Sequence, residues 1–203
     1  MRQVLSIHGG GEFIGLSDDM FLKELAARDV SLERIRQKHS WKGGLSETLG
    51  EGYDVLAPHM PRKDTPRYAE WKLWFEKIVP LLDDTVILLG HSLGGLFLIK
   101  YLAEERFPKK SAGLFVVAAP FVAPDEEPYR AAGFELPDGL LKVAEQAPNI
   151  FFYHSTDDPV VPFTDLAKYR ERLPKSTFRV FDDRKHFNGK TFPELVADIH
   201  SIT

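Results

Sequence analysis

Gly90-His91-Ser92-Leu93-Gly94 places a serine between two glycines, at the junction of an apolar run (Thr85–Leu89) and a helical pattern starting at Leu93. Such spacing fits a sharp strand-to-helix turn that holds the Ser92 hydroxyl up as a nucleophile. Gly90 and Gly94 carry no side chains, so the turn can pack closely. The helix N-terminus behind it favours negative charge developing on a bound group. The plainer alternative is a glycine-rich turn with an incidental serine.

A serine hydroxyl is a weak nucleophile at neutral pH. It needs a base within hydrogen-bond reach, and the base needs a third group to fix its tautomer. After a turn of this kind the acid and then the histidine follow in the chain. Downstream lie His154, His186 and His200. His186 follows the run Thr177–Phe181 and is the expected base. His154 comes too early in the order, and His200 falls in the last helical pattern as a solvated residue. The acid is expected in Ser155-Thr156-Asp157-Asp158-Pro159-Val160-Val161-Pro162, as Asp158 or Asp157. Asp182 and Asp183 read as solvated loop charges.

His8-Gly9-Gly10-Gly11 follows the first apolar run. Attack on a carbonyl puts negative charge on its oxygen, which preorganised N–H groups stabilise. Gly10, Gly11 and Leu93 are the expected donors, with His8 in a structural role. A phosphate loop is the competing reading. It is disfavoured because no Gly-Lys-Ser/Thr or Gly-x-Gly-x-x-Gly is present.

Six runs must carry these residues: Val4–Ile7, Asp54–Ala57, Val86–Leu89, Leu114–Ala118, Ile150–His154 and Phe178–Phe181. Most are continuously apolar, as parallel strands covered on both faces are. Between them lie helical patterns at Tyr68–Leu81, Leu93–Glu105, Phe163–Leu173 and Phe192–Ile202. In the first of these Trp71, Trp74, Phe75, Ile78 and Leu82 form the apolar stripe. The alternation predicts an open α/β sheet with right-handed crossovers. Two long connections remain. Residues 12–52 contain a helical pattern over Phe21–Lys38 and a short capped helix ended by Gly50. Residues 120–149 read as a Pro- and Gly-rich loop.

The 203 residues fit one domain, 1–203, with 12–39 as a helical insertion expected to form a lid over Ser92. Hydrophobic residues make up 43% and the net charge is -4, which argues against nucleic-acid binding. No stretch is apolar enough to span a membrane. The N-terminal apolar run is too short for a signal-peptide core, so a cytoplasmic location is expected. No cysteine is present, which excludes disulfides, thiolate ligands and a cysteine nucleophile. The histidines are scattered, with no His-Glu-x-x-His spacing, and no metal or organic cofactor is expected.

Taken together, the glycine loop, the Ser92 turn, Asp158-Pro159-Val160-Val161-Pro162 and His186 resemble the α/β-hydrolase superfamily over nearly the whole chain. Acid-bearing turns of that superfamily often read Gly-x-x-Asp-x-x-Val-Pro. Ser155 occupies the glycine position here and Asp158 the acid, so the resemblance favours Asp158 over Asp157. Tyr53–Pro61 and Pro66–Trp71 resemble the small retinoblastoma-binding-protein-nine-like serine hydrolases, which are compact and essentially capless. The triple glycine departs from that group and is more similar to lipase-type loops. The resemblance implies a three-layer α/β-hydrolase fold, a mostly parallel six-stranded sheet in the order 2-1-3-4-5-6 with helices on both faces. It also implies a serine hydrolase, carboxylesterase-like, acting on a small-molecule acyl substrate. Amide or peptide hydrolysis and a non-catalytic binding protein of the same fold are the alternatives.

Overall fold

The computed structural model describes residues 1–11, 18–27, 40–122 and 131–202. Six strands form one sheet: β1 (Arg2–Ile7), β2 (Tyr53–Leu56), β3 (Thr85–His91), β4 (Lys110–Val117), β5 (Ile150–Ser155) and β6 (Thr177–Phe181). Their order is β2-β1-β3-β4-β5-β6 and every pairing is parallel. The helices are α1 (Asp18–Ala27), α2 (Leu45–Leu49), α3 (Tyr68–Ile78), α4 (Leu93–Glu104), α5 (Leu141–Gln146), α6 (Thr164–Arg172) and α7 (Pro193–Ser201).

Strand residues point alternately to the two faces, so a strand covered on both must be apolar throughout. On one face Leu5, Ile7, Val86, Leu88, Leu114, Val116 and Phe152 pack against α3, α4, α5 and α6. Val4, Ile87, Leu89, Phe115, Val117, Phe151 and Tyr153 face the other way, onto Trp41, α2 and α7. All residues of α4 from Leu93 to Ala103 are buried, which places the helix behind Ser92 in the middle of its layer.

Several expectations need adjusting. Trp74 is 43% exposed, whereas Trp71 and Phe75 are fully buried, so the stripe of α3 is narrower than its periodicity implies. The turn Val79–Leu81 is a 3₁₀ continuation containing Pro80, whose ring cannot extend an α-helix. Within the expected loop 120–149 lies α5, which buries only Val143. The helix ended by Gly50 is present, and Gly50 adopts φ 86°, but Gly44 at its start provides no side-chain cap. The helical pattern of Phe21–Lys38 overlaps α1, while 28–39 and much of the expected lid lie outside the described residues. Among the described residues no helix is long and apolar enough to cross a membrane.

Candidate active site

The candidate residues emerge from the carboxyl ends of β1, β3, β5 and β6, where open α/β sheets bind ligands. Ser92 adopts φ 54° and ψ -125°, a conformation that a residue with a Cβ holds only when its surroundings over-determine it. The surroundings do so. Ser92 N–H donates to Val117 O at 2.7 Å, and Ser92 O receives Gly95 N–H at 2.9 Å. A Cβ on Gly90 would lie 2.5 Å from Gly95 Cα, and one on Gly94 would lie 2.3 Å from Ile7 O. The two glycines of the motif are therefore required by backbone contact.

On the loop after β1, a Cβ on Gly9 would meet Ser92 Cβ at 3.0 Å, so this loop lies directly against the serine. His8 Nε2 accepts Met60 N–H at 2.8 Å, which leaves Nδ1–H to donate to Gly9 O at 2.5 Å. Burial lowers the His8 pKa, in keeping with a neutral structural residue. Gly11 departs from expectation. Its N–H donates to Lys63 O at 2.6 Å and so is already committed. Gly10, between them, and Leu93 remain as donor candidates. Leu93 heads α4, where the first N–H groups have no intrahelical acceptor.

His186 Nδ1 lies 2.9 Å and 3.1 Å from the two carboxylate oxygens of Asp158. The carboxylate can only accept, so Nδ1 carries the proton and Nε2 is the basic nitrogen. The Asp158 side chain is fully buried, and it also receives the N–H groups of Val160 and Val161 at 2.8 Å and 3.1 Å. Burial pushes its carboxyl pKa up. The hydrogen bond and charge of His186, with the two backbone N–H groups, outweigh that effect and hold it below the usual value. Asp157 acts elsewhere: its Oδ1 accepts from Ser155 Oγ and from Lys185 N–H, fastening the loop that carries His186.

The His186 ring lies 4.9 Å from the ring of His91, the residue preceding Ser92. Among the described residues the Ser92 hydroxyl makes no hydrogen bond to His186. His154 borders the acid, with Nε2 3.9 Å from Asp158 Oδ2, but it bonds to Val161 O at 3.1 Å. His200 sits on α7 and contacts Leu49 O, on the face opposite α3 and α4. Asp182 and Asp183 are exposed. The same described residues contain no group of three or more histidine or acidic side chains arranged to hold a metal ion. A buried carboxylate, an imidazole with a free basic nitrogen and a serine on a strained turn can together carry out base-assisted attack on a carbonyl.

The serine hydrolase family model matches residues 33–191, most of the chain and all of Ser92, Asp158 and His186. The chain belongs to the serine hydrolase family. It is 29% identical over 167 residues to serine hydrolase RBBP9 of Rattus norvegicus, an alignment covering 81% of this chain and 87% of that one. Its fold is similar to that of the ydeN gene product of B. subtilis, with a TM-score of 0.75 at 20% identity, covering 100% of this chain and 98% of the other. A ydeN-like hydrolase of Pectobacterium atrosepticum gives a TM-score of 0.64 at 15% identity, covering 99% and 92%. These structural neighbours fix an α/β-hydrolase fold for this serine hydrolase. The matched stretch starts after β1, so the glycine loop stands outside it.

Sequence reasoning weighed Asp157 as the acid and placed Gly9 and Ser155 in their motifs without the contacts they make, and it gave His91 and the Trp41–Lys42 turn no role at the site. Of these last, His91 carried a signal, its place inside the Ser92 motif. The contacts of Trp41 and Lys42 at the site, to His91 and Phe187, lie far away in sequence.

Proposed function

We propose that this serine hydrolase cleaves small carboxylic esters or thioesters through an acyl-enzyme on Ser92. Ser92 Oγ attacks the carbonyl carbon as its proton passes to His186 Nε2, and the Ser92–His186 hydrogen bond closes as the carbonyl docks. Asp158 holds the imidazole in the required tautomer and stabilises its charged form. The oxyanion is met by Leu93 N–H and Gly10 N–H, with Gly11 in a supporting role that keeps its bond to Lys63. Collapse expels the alcohol or thiol, protonated by His186, and water then hydrolyses the acyl-enzyme by the reverse roles. No cofactor takes part.

The observation that carries this reading is the 2.9 Å contact between the buried Asp158 carboxylate and His186 Nδ1, which leaves the opposite ring nitrogen basic. Esters and thioesters are put first because their leaving groups demand least of the site. A fluorophosphonate probe tests the assignment. It should label the wild type, while Ser92→Ala stays folded and unlabelled. Labelling that survives Ser92→Ala would refute it. A panel of p-nitrophenyl esters of increasing acyl length then defines the acyl preference.

A further inference from the structure

The loop bearing His186 is held in an unfavourable backbone shape. Lys185 has φ 49° and Phe187 has φ 52°, so the histidine is flanked on both sides by non-glycine residues in the left-handed region. Such a shape persists only where the surroundings impose it. Four consecutive residues of the loop are each fastened by a side chain from elsewhere. Arg184 N–H donates to Ser155 Oγ at 3.1 Å and Lys185 N–H to Asp157 Oδ1 at 2.8 Å. His186 O faces His91 Nε2 at 2.9 Å, and Phe187 O receives the indole N–H of Trp41 at 2.6 Å.

The tautomer of His91 follows from its partners. Lys42 Nζ lies 3.3 Å from Nδ1 and can only donate, so Nδ1 is unprotonated and Nε2–H donates to His186 O. Burial, with the Lys42 charge, keeps the ring neutral. The Trp41 ring packs edge-on against His91 at 6.2 Å and against Phe192 at 5.4 Å. The His91 ring is buried against the loop of His186, 4.9 Å from the His186 ring.

We propose that His91 is a positioning residue for the base: its Nε2–H, oriented by Lys42 and braced by Trp41, sets the backbone of His186 and thereby the place of the imidazole. The inference rests on His186 acting as the base. Displacing a catalytic group by about 1 Å can cost about 100-fold in rate without touching substrate contacts. Loss of the Nε2–H donor should therefore appear in kcat and leave KM nearly unchanged.

His91→Phe keeps the bulk and removes the donor, while His91→Gln restores an N–H at similar reach. Rates of p-nitrophenyl acetate hydrolysis are measured per active site titrated with a fluorophosphonate, so unfolded protein does not count. His91→Phe should lower kcat about 30- to 100-fold with KM changed less than about 3-fold. His91→Gln should return kcat to within about 5-fold of wild type. The downfield proton resonance of the His186–Asp158 hydrogen bond should shift or broaden in His91→Phe and recover in His91→Gln. Wild-type kcat in His91→Phe, or equal losses in both variants, overturns the proposal. If His91→Phe does not fold, His91→Met, which likewise lacks the Nε2–H donor to His186 O, replaces it, and wild-type kcat there overturns the proposal equally. Ser92→Ala and Asp158→Asn separate the two levels. Should they retain activity, the base assignment itself has failed. Should they lose it while His91→Phe does not, the positioning role alone has failed.

Discussion

Replacing Asp158 by Asn is the sharpest perturbation, because the two carboxylate oxygens have different duties. Oδ1 accepts Val160 and Val161 N–H and makes only the longer, 3.1 Å, contact with His186 Nδ1, so the amide oxygen of Asn settles there and preserves the turn. The amide NH2 then takes the place of Oδ2 and points at His186 Nδ1, 2.9 Å away in the native protein. Two donors cannot share that contact, so Nδ1 becomes the acceptor and the proton moves to Nε2. The nitrogen that the proposed mechanism uses to deprotonate Ser92 is then occupied. Loss of the correct tautomer in such sites costs about 10⁴ in kcat, or roughly 5.5 kcal/mol of barrier. Asp157→Asn is the internal control, since Asp157 is exposed and contacts Ser155 and the Lys185 backbone rather than the imidazole. Its kcat should fall less than about 10-fold. The assay is p-nitrophenyl acetate turnover at pH 7.5, with thermal unfolding to confirm that both variants fold. If Asp158→Asn stayed within 10-fold of wild type, or Asp157→Asn were the more damaging, the assignment of the acid would be wrong.

Two further outcomes concern stability. Gly94→Ala drives a Cβ to 2.3 Å from Ile7 O and 2.5 Å from His8 O, both rigid backbone, and should destabilise by about 2–3 kcal/mol in urea unfolding. Gly52→Ala, with nothing within 4 Å of the new Cβ, should stay within about 0.5 kcal/mol. The pH dependence has a defined sign: His91 and His154 are buried and their folded pKa values are lowered, so the unfolded chain binds the extra protons. Their stabilisation is complete above the unfolded value of about 6.5 and declines as pH falls below it, by up to roughly 1.4 kcal/mol per pH unit for each ring. Asp158, held low, loses its contribution only as pH falls below about 3.9 and through its depressed folded value, a separate window. Unchanged urea midpoints between pH 7.5 and 5.5 would contradict the neutral-ring assignment.

The strands were legible because parallel strands covered on both faces must be apolar on both, and such runs stand out. Their polar beginnings did not: β4 starts at Lys110, four residues before its apolar run. Asp158 was singled out by the resemblance of its turn to the acid-bearing turn of α/β-hydrolases, whereas the work of Asp157 depends on a loop 28 residues away. Gly11 shows why a glycine run alone does not identify donors. Backbone N–H groups are taken by whichever carbonyl the fold brings near, and Lys63 lies on a loop after a different strand. Likewise α5 was hidden because a helix that buries a single side chain has almost no periodicity to read.

His186 follows β6, an edge strand of the sheet and the last of its six in the chain, and its loop leans on Phe192 through Trp41. Under the proposed roles, a chain still emerging from the ribosome would carry its nucleophile long before it carried a base. Ester cleavage would switch on only once the chain had been delivered and docked as far as His186. Truncation products that stop before His186 would be silent.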